Sequence, residues 1–205
     1  MNNERNNELL ILEAAEVEFL EKGFKNAATT AIAKRAGVTQ AMLHYYYRIK
    51  ENLFKKVFQE KVQIVANSFE MVFHEHSSFH DIIRSFIEKH FDTIAENPQL
   101  MNFVYNEITS NAESRKLVLE VMVPKVKHVL SHLEKLIDDE AAKGLIKPVK
   151  ISDLMMNIAS MNLISVMALP VMKDILSRQT GEYFNVFLKE RKENNVQFIL
   201  NALRA

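Results

Sequence analysis

The 205-residue sequence predicts an all-α protein. Three observations predict it. Apolar residues recur at i, i+3 and i+4 along nearly the whole chain, which is the spacing of one helix face. Gly and Pro number four each, too few turn-formers for a many-stranded sheet. No stretch alternates convincingly between apolar and polar, as a half-buried strand does. About nine helices result, in a three-helix N-terminal domain and a larger helical body.

The elements follow in order. Leu9, Leu12, Ala15 and Phe19 line the first helix, which is expected to end at Gly23, a natural C-cap. A short helix runs from about Thr29 to Ala36 and stops at Gly37. Thr39 can cap a third, Gln40 to Tyr46. From Lys50 to about His74 a long stripe carries Leu53, Val57, Phe58, Val65, Phe69 and Phe73. His76 to Phe79 reads as a turn, with Ser78 capping a helix that reaches Ala95. Asn97-Pro98 breaks the chain, and Pro98 suits a first helical position before a helix from Gln99 to about Thr109. Ser114 to Ala142 follows, with Pro124 predicting a kink or break near Met122. Lys143-Gly144 ends that segment, and Pro148 lies in the link. Ser152 opens a helix that is apolar around most of its circumference. Pro170 and Gly181 bracket a linking piece, and the last helix runs from Glu182 to about Leu203, with Phe184 among its apolar residues. No internal repeat or low-complexity tract appears.

Composition sets limits. Hydrophobic residues are 48% and charged residues 25%, ordinary for a soluble globular protein. The absence of Cys excludes disulfides, thiolate metal sites, iron–sulfur clusters and a cysteine nucleophile. The polar start is followed by no signal-peptide core, and the longest apolar run, Val166 to Met172, is far short of the roughly 18–20 residues that span a bilayer. A cytoplasmic protein without membrane contact is expected.

The net charge is zero, but its distribution is uneven. From Lys22 to Lys56 eight bases stand against the single acid Glu51, a charge of +7, while the chain from Val57 onward carries −2. A basic block beside a mildly acidic remainder suits an anion-binding module on a larger body, or else a solvated face with no partner.

That block contains the most informative stretch, Thr29 to Tyr47. Two short helices joined across Ala36-Gly37-Val38-Thr39 make a helix-turn-helix. Ala33 is small enough for close helix packing, and Ile32, Val38 and Leu43 lock the pair against the first helix. The second helix would enter a major groove.

Ile11 to Phe58 resembles the DNA-binding domain of the TetR family of transcriptional regulators. The matching run is Ile11-Leu12-Glu13-Ala14-Ala15, Phe19, Gly23-Phe24, Ile32-Ala33, Ala36-Gly37-Val38-Thr39, Leu43-His44-Tyr45-Tyr46-Tyr47 and Lys50-Glu51-Asn52-Leu53. The resemblance implies a DNA-binding domain over residues 1–49 and an effector-binding and dimerisation domain over 50–205, sharing the helix from Lys50. It implies DNA contact by Thr39, Gln40, Ala41, Met42, His44, Tyr45 and Tyr46 on the recognition helix, and by Thr29, Thr30 and Lys50 on phosphates. Gln40 can bond adenine bidentately, and Ala41 and Met42 can meet a thymine methyl. Tyr47 holds a buried aromatic slot.

Three departures stand out. Ala27-Ala28 replace the usual threonines before the second helix, so Asn26 or Thr29 would have to cap it. His44 replaces a tyrosine. Ile49 removes the obvious cap of the helix from Lys50.

For the body, the resemblance implies a small-molecule cavity, with Phe86, Phe103, Asn106, Met122, Asn157 and Met161 as candidate liners. The apolar ones are also what an ordinary core requires. Asn157, polar on an apolar helix, calls for a partner. The two C-terminal helices are too apolar for one solvent-facing side, and the resemblance implies a dimer interface there, including Met155, Ile158, Phe187 and Ile199. A dimer also suits a palindromic double-stranded operator with half-sites about 34–36 Å apart.

Enzyme signals are poor. His128 and His132 lie i, i+4 and could share a metal, but a solvated helix face explains them as well. His74, His76 and His80 straddle a turn, Asp138-Asp139-Glu140 reads as a solvated helix end, and no phosphate-cradling Gly loop exists. No catalytic residue, cofactor or metal is expected. The resemblance therefore implies a homodimeric repressor released from its operator by a small hydrophobic ligand. The alternatives are a regulator without a small-molecule effector, constitutive or protein-regulated, and a helical enzyme or metal protein with an incidental helix-turn-helix.

Overall fold

A computed structural model describes residues 2–69, 78–175 and 181–205. These form ten helices: α1 (Asn2–Asn26), α2 (Thr29–Ala36), α3 (Gln40–Tyr47), α4 (Lys50–Asn67), α5 (Phe79–Glu96), α6 (Pro98–Ser110), α7 (Ala112–Ala142), α8 (Ile151–Met167), α9 (Leu169–Ile175) and α10 (Gly181–Leu203). The all-α class is as predicted. The tenth helix, α9, lies within the piece expected to be a link. Among the described residues the β pairing is one isolated bridge between Ile146 and Arg204. No helix of the described residues is long and apolar enough to cross a membrane. Phe73, His74 and His76 lie outside the described residues, as does the side chain of Phe184.

Local chemistry sets most helix ends. Gly37, at φ 69° and ψ 23°, ends α2. The Val38 amide reaches the Ala33 carbonyl and the Gly37 amide that of Lys34, so the last turn is closed by two bonds. Ser78 and Asp81 form a capping box at the start of α5. Pro98 occupies the first position of α6, where its missing N–H is harmless.

The sequence predicts interruptions at Gly23 and near Met122. Gly23, at φ 69° and ψ 173°, leaves the helical conformation as expected, and a last turn of α1 follows the kink to Asn26. Of the kink or break expected from Pro124, the break does not occur, since α7 is continuous from Ala112 to Ala142.

The chain divides into two compact units, Met1–Ile64 with Gln99–Met122, and Val65–Pro98 with Val123–Ala205. In the first, Ile11, Ala15, Phe19, Ile32, Leu43, Leu53 and Phe58 are fully buried. The Phe54 ring meets the edge of Phe19 at 5.2 Å and lies 4.8 Å from Phe24, while Phe58 meets Phe103 at 5.6 Å. Each such ring contributes roughly 1.5–3 kcal/mol by leaving water. In the second unit α5 packs on α8 and α10. Its core joins Ile83, Ile87, Leu133, Ile137, Ile158, Val196 and Ile199.

Candidate nucleic-acid interface

The recognition helix α3 is anchored at its start by Thr39, whose hydroxyl oxygen accepts from the Met42 amide at 3.1 Å. Leu43 and Tyr47 face inward and are buried. Burial and the neighbouring Glu8 carboxylate push the Tyr47 phenol up. The opposite face carries Ala41, His44 and Tyr45, all exposed, with Tyr45 at 75%. Gln40, Met42 and Tyr46 are half-buried along its flanks, and the Tyr45 and Tyr46 rings meet edge to face at 5.4 Å.

Four groups on this surface form a directed chain. The His44 Nδ1 lies 2.8 Å from the Arg48 carbonyl oxygen, which can only accept, so Nδ1 carries the proton. The other ring nitrogen is then an acceptor and takes a bond from Gln40 Nε2 at 3.4 Å. Gln40 gives its second amide proton to Thr29 Oγ1 at 2.9 Å. The bidentate reader expected from the sequence is thus tied to α2, and its carbonyl oxygen is buried with no partner. The Thr29 hydroxyl keeps its own proton for another acceptor.

Neither Asn26 nor Thr29 caps α2. Its N-cap is Ala28, with no side-chain bond, and Asn26 donates instead to the Lys22 carbonyl. The junction between α1 and α2 is held by a buried carboxylate. Glu18, 1% exposed, accepts from Lys22 at 2.8 Å and from the Ala28 amide at 3.4 Å. The Lys22 bond draws its carboxyl below the usual range despite the opposing effect of burial. A second carboxylate, Glu107 of α6, accepts from the Phe24 amide at 3.1 Å.

Lys50, expected to touch phosphate, sits at this junction. Its Nζ donates to the Ala27 carbonyl at 2.7 Å and to the Lys25 carbonyl at 3.4 Å, and lies 4.7 Å over the Phe24 ring. The two carbonyls take two of the ammonium's three protons, which leaves one for an anion. Not all of the +7 is open to DNA. Lys22, Arg35 and Lys56 pair with Glu18, Glu21 and Glu60. Thr30 is exposed beside Thr29.

The other candidate residues fall in both units. Phe103 and Asn106 line a cleft of about 490 Å³ in the first unit, Phe103 buried and Asn106 exposed, and Met122 is half-buried. Phe86 belongs to the core of the second unit, with the half-buried Met161 packed against it. Asn157 is exposed, so it is not the amide that needs a partner. Ile158 and Ile199, proposed from sequence for a dimer interface, are 1% and 3% exposed inside the chain's own core. Met155 and Phe187 are half-buried. Among the described residues, the large exposed apolar side chains of α8 and α10 are Met156, Ile164, Val186 and Phe198. His128 and His132 are exposed, and no three His, Asp or Glu of the described residues are grouped to hold a metal.

The buried polar groups of the second unit escaped the sequence reading. Asn162 donates to the Ile87 carbonyl at 3.0 Å and to His90 Nδ1 at 3.1 Å. Its oxygen accepts from Asn195 at 2.9 Å. Ser165 accepts from Arg191 at 3.2 Å and donates to the Met161 carbonyl at 2.6 Å. Burial pushes the His90 imidazole down to about 4. The signal was present: Asn162 shares a stripe with Leu154, Ile158 and Val166, whereas Asn157 lies off it.

Comparison with known proteins agrees with this arrangement. Residues 11–57 match bacterial regulatory proteins of the tetR family, and residues 80–199 match the tetracyclin repressor-like C-terminal domain. The fatty acid metabolism regulator protein of Bacillus subtilis (strain 168) is 26% identical over 148 residues, 72% of this chain and 74% of that protein. A TetR family transcription regulator from Marinobacter aquaeolei VT8 shares the fold, with a TM-score of 0.61 at 20% identity, over 99% of this chain and 98% of that one. So does the fatty acid degradation regulator FadR from Bacillus halodurans, with a TM-score of 0.61 at 22% identity, over 95% and 98%. An exposed, capped recognition helix on a three-helix module, joined to a matching helical body, makes this chain a member of the TetR family of DNA-binding transcriptional regulators, and not an enzyme.

Proposed function

We propose that the protein is a homodimeric repressor that occupies a palindromic operator and leaves it when a small hydrophobic ligand binds. The observation that carries the reading is the outward face of α3, where Ala41, His44 and Tyr45 are exposed beside a Gln40 tied to Thr29. Residues 1–49 are the DNA-binding part, and 50–205 bind effector and partner subunit. Thr39, Gln40, Ala41, Met42, His44, Tyr45 and Tyr46 address the groove, while Thr29, Thr30 and Lys50 address phosphates. The exposed Met156, Ile164 and Phe198 support pairing of two copies through α8 and α10. Work on an operator puts the protein in the cytoplasm.

Two similar proteins are regulators of fatty acid metabolism and of fatty acid degradation by name, which supports an aliphatic acyl compound as the first effector class to test. Release requires that the ligand bind the DNA-incompetent state more tightly, and a tenfold loss of operator affinity needs about 1.4 kcal/mol of difference.

Selection from a random duplex pool at two salt concentrations tests the reading. An enriched palindrome whose affinity falls steeply with salt supports it. Long-chain acyl compounds are then titrated against the bound palindrome. Enrichment of a single half-site, or DNA binding untouched by any hydrophobic ligand, rejects the dimer or the effector respectively.

A further inference from the structure

We infer that Glu107 is a positioning residue for Lys50, acting through Phe24. The inference rests on reading Lys50 as a phosphate contact. Helix α6 buries Leu100, Phe103 and Val104, and the next residue on that stripe is Glu107, 7% exposed. A carboxylate in that place calls for bonds to offset its desolvation. It has two. Oε1 accepts from the Phe24 amide at 3.1 Å and Oε2 from the buried Ser114 hydroxyl at 3.4 Å.

The Phe24 amide is available for a reason set in the sequence. Gly23, at φ 69° and ψ 173°, interrupts the helical hydrogen-bond ladder one residue earlier. The side chain of Phe24 then lies between Phe54, 4.8 Å away, and the Lys50 ammonium, 4.7 Å over the ring. Lys50 also donates to the Ala27 and Lys25 carbonyls, at 2.7 and 3.4 Å, in the same turn of backbone. Three groups that fix the Lys50 ammonium therefore belong to the segment 24–27, and Glu107 is the α6 group that grips this segment. The cleft of about 490 Å³ lined by Gly23, Phe24, Lys25, Asn106 and Glu107 leaves the adjoining side open. Without the carboxylate the Phe24 amide loses its acceptor, the ring loses its seat and the ammonium loses its direction.

The sequence contains both partners of the bond between Phe24 and Glu107, yet they are 83 positions apart. Nothing in the local pattern of either segment announces the other.

The test compares salt dependence of DNA binding in the full chain, using the palindromic duplex obtained by selection and a random-sequence duplex of equal length. Lys50→Met should lower the slope of log affinity against log salt by roughly one, the loss of a single phosphate contact. Glu107→Leu should lower it by a similar amount, and should add little in a Lys50→Met background. Glu107→Gln, whose amide oxygen can still accept from Phe24, should restore the slope. Phe24→Leu keeps the backbone bond but removes the ring, and should act like Glu107→Leu if that variant fails to fold. An unchanged slope in Lys50→Met overturns the reading of Lys50 and the inference with it. A reduced slope there, with native slopes in Glu107→Leu and Phe24→Leu, overturns the inference alone. Weaker binding by Glu107→Leu without a change of slope also overturns it, since that marks a merely structural role.

Discussion

His44 gives its Nδ1 proton to the carbonyl oxygen of Arg48, and this bond decides what the recognition helix offers. It leaves Nε2 as an acceptor for Gln40. The geometry that makes the Arg48 carbonyl available is unusual. Arg48 has φ 57° and ψ −55°, and is the single non-glycine residue with positive φ among those described. The Ile49 amide bonds back to the Tyr47 carbonyl at 2.6 Å, so Arg48 is the centre of a γ-turn.

Such a conformation costs on the order of 1–3 kcal/mol for a residue with a Cβ. Arg48→Gly should therefore stabilise the domain, by up to about 1 kcal/mol after the entropy of glycine is deducted. Arg48→Ala should not. Urea unfolding of the two variants makes the comparison, and equal midpoints would show that the turn is unstrained.

The glycines at 23 and 37 should differ in their tolerance of a methyl group. A Cβ at Gly37 meets nothing within 4 Å, so Gly37→Ala pays only for a left-handed backbone, about 1–2 kcal/mol. Gly23 occupies a region open almost to glycine alone, and Gly23→Ala should lose more. Its nearest neighbour, Glu107 Oε1 at 3.8 Å, is not a clash, so the loss is one of backbone and not of space. Denaturation midpoints in the order native, Gly37→Ala, Gly23→Ala are expected.

Stability should fall with acid before the carboxylates titrate. His90 is held neutral down to about 4 by burial, whereas the unfolded chain protonates it near 6.5. The unfolded state therefore binds more protons between these values. The stabilisation is complete above pH 6.5 and is lost as pH falls toward 4, about 3 kcal/mol in all. Phe69 and Phe86 flank the ring and Asn162 donates to it, and no charged group contributes to its shift. Asp81 and Glu193, whose pKa values are lowered, add their own losses below 3.8 and 4.5. Chemical unfolding at pH 7 and pH 5 should differ in the native chain and converge in His90→Gln.

Asn162→Ala should be among the costliest polar truncations. It leaves His90 Nδ1 without a donor and removes the oxygen that receives Asn195. A loss of roughly 2–4 kcal/mol follows from unsatisfied buried groups. Ser160→Ala, two residues away, removes only exposed bonds to the Met156 and Asn157 carbonyls and should change little.

What the sequence revealed divides along chemical lines. Gly37, Thr39, Ser78 and Pro98 act within a turn of themselves, and each does what its type predicts. Gly23 carries the same local signal as Gly37, but Glu107 completes the kink from another helix, so a C-cap was the natural reading. The exposed face of α3 was legible from its motif. The tether of Gln40 was not, because Thr29 precedes it by 11 positions across a turn. Asn157 and Asn162 differ by helical phase, which an α8 apolar on most sides conceals.

The polar contacts of Asn162 also act as a registration mark. One turn to either side of it lie Ile158 and Val166, both apolar and both able to fill the same space. Oily side chains alone would let α8 slip by a turn along α5 and α10 at modest loss. With the amide in place, any slip sets a hydrocarbon against His90 and Asn195 and carries Asn162 away from both. One buried amide therefore distinguishes a single alignment from its near-equivalents.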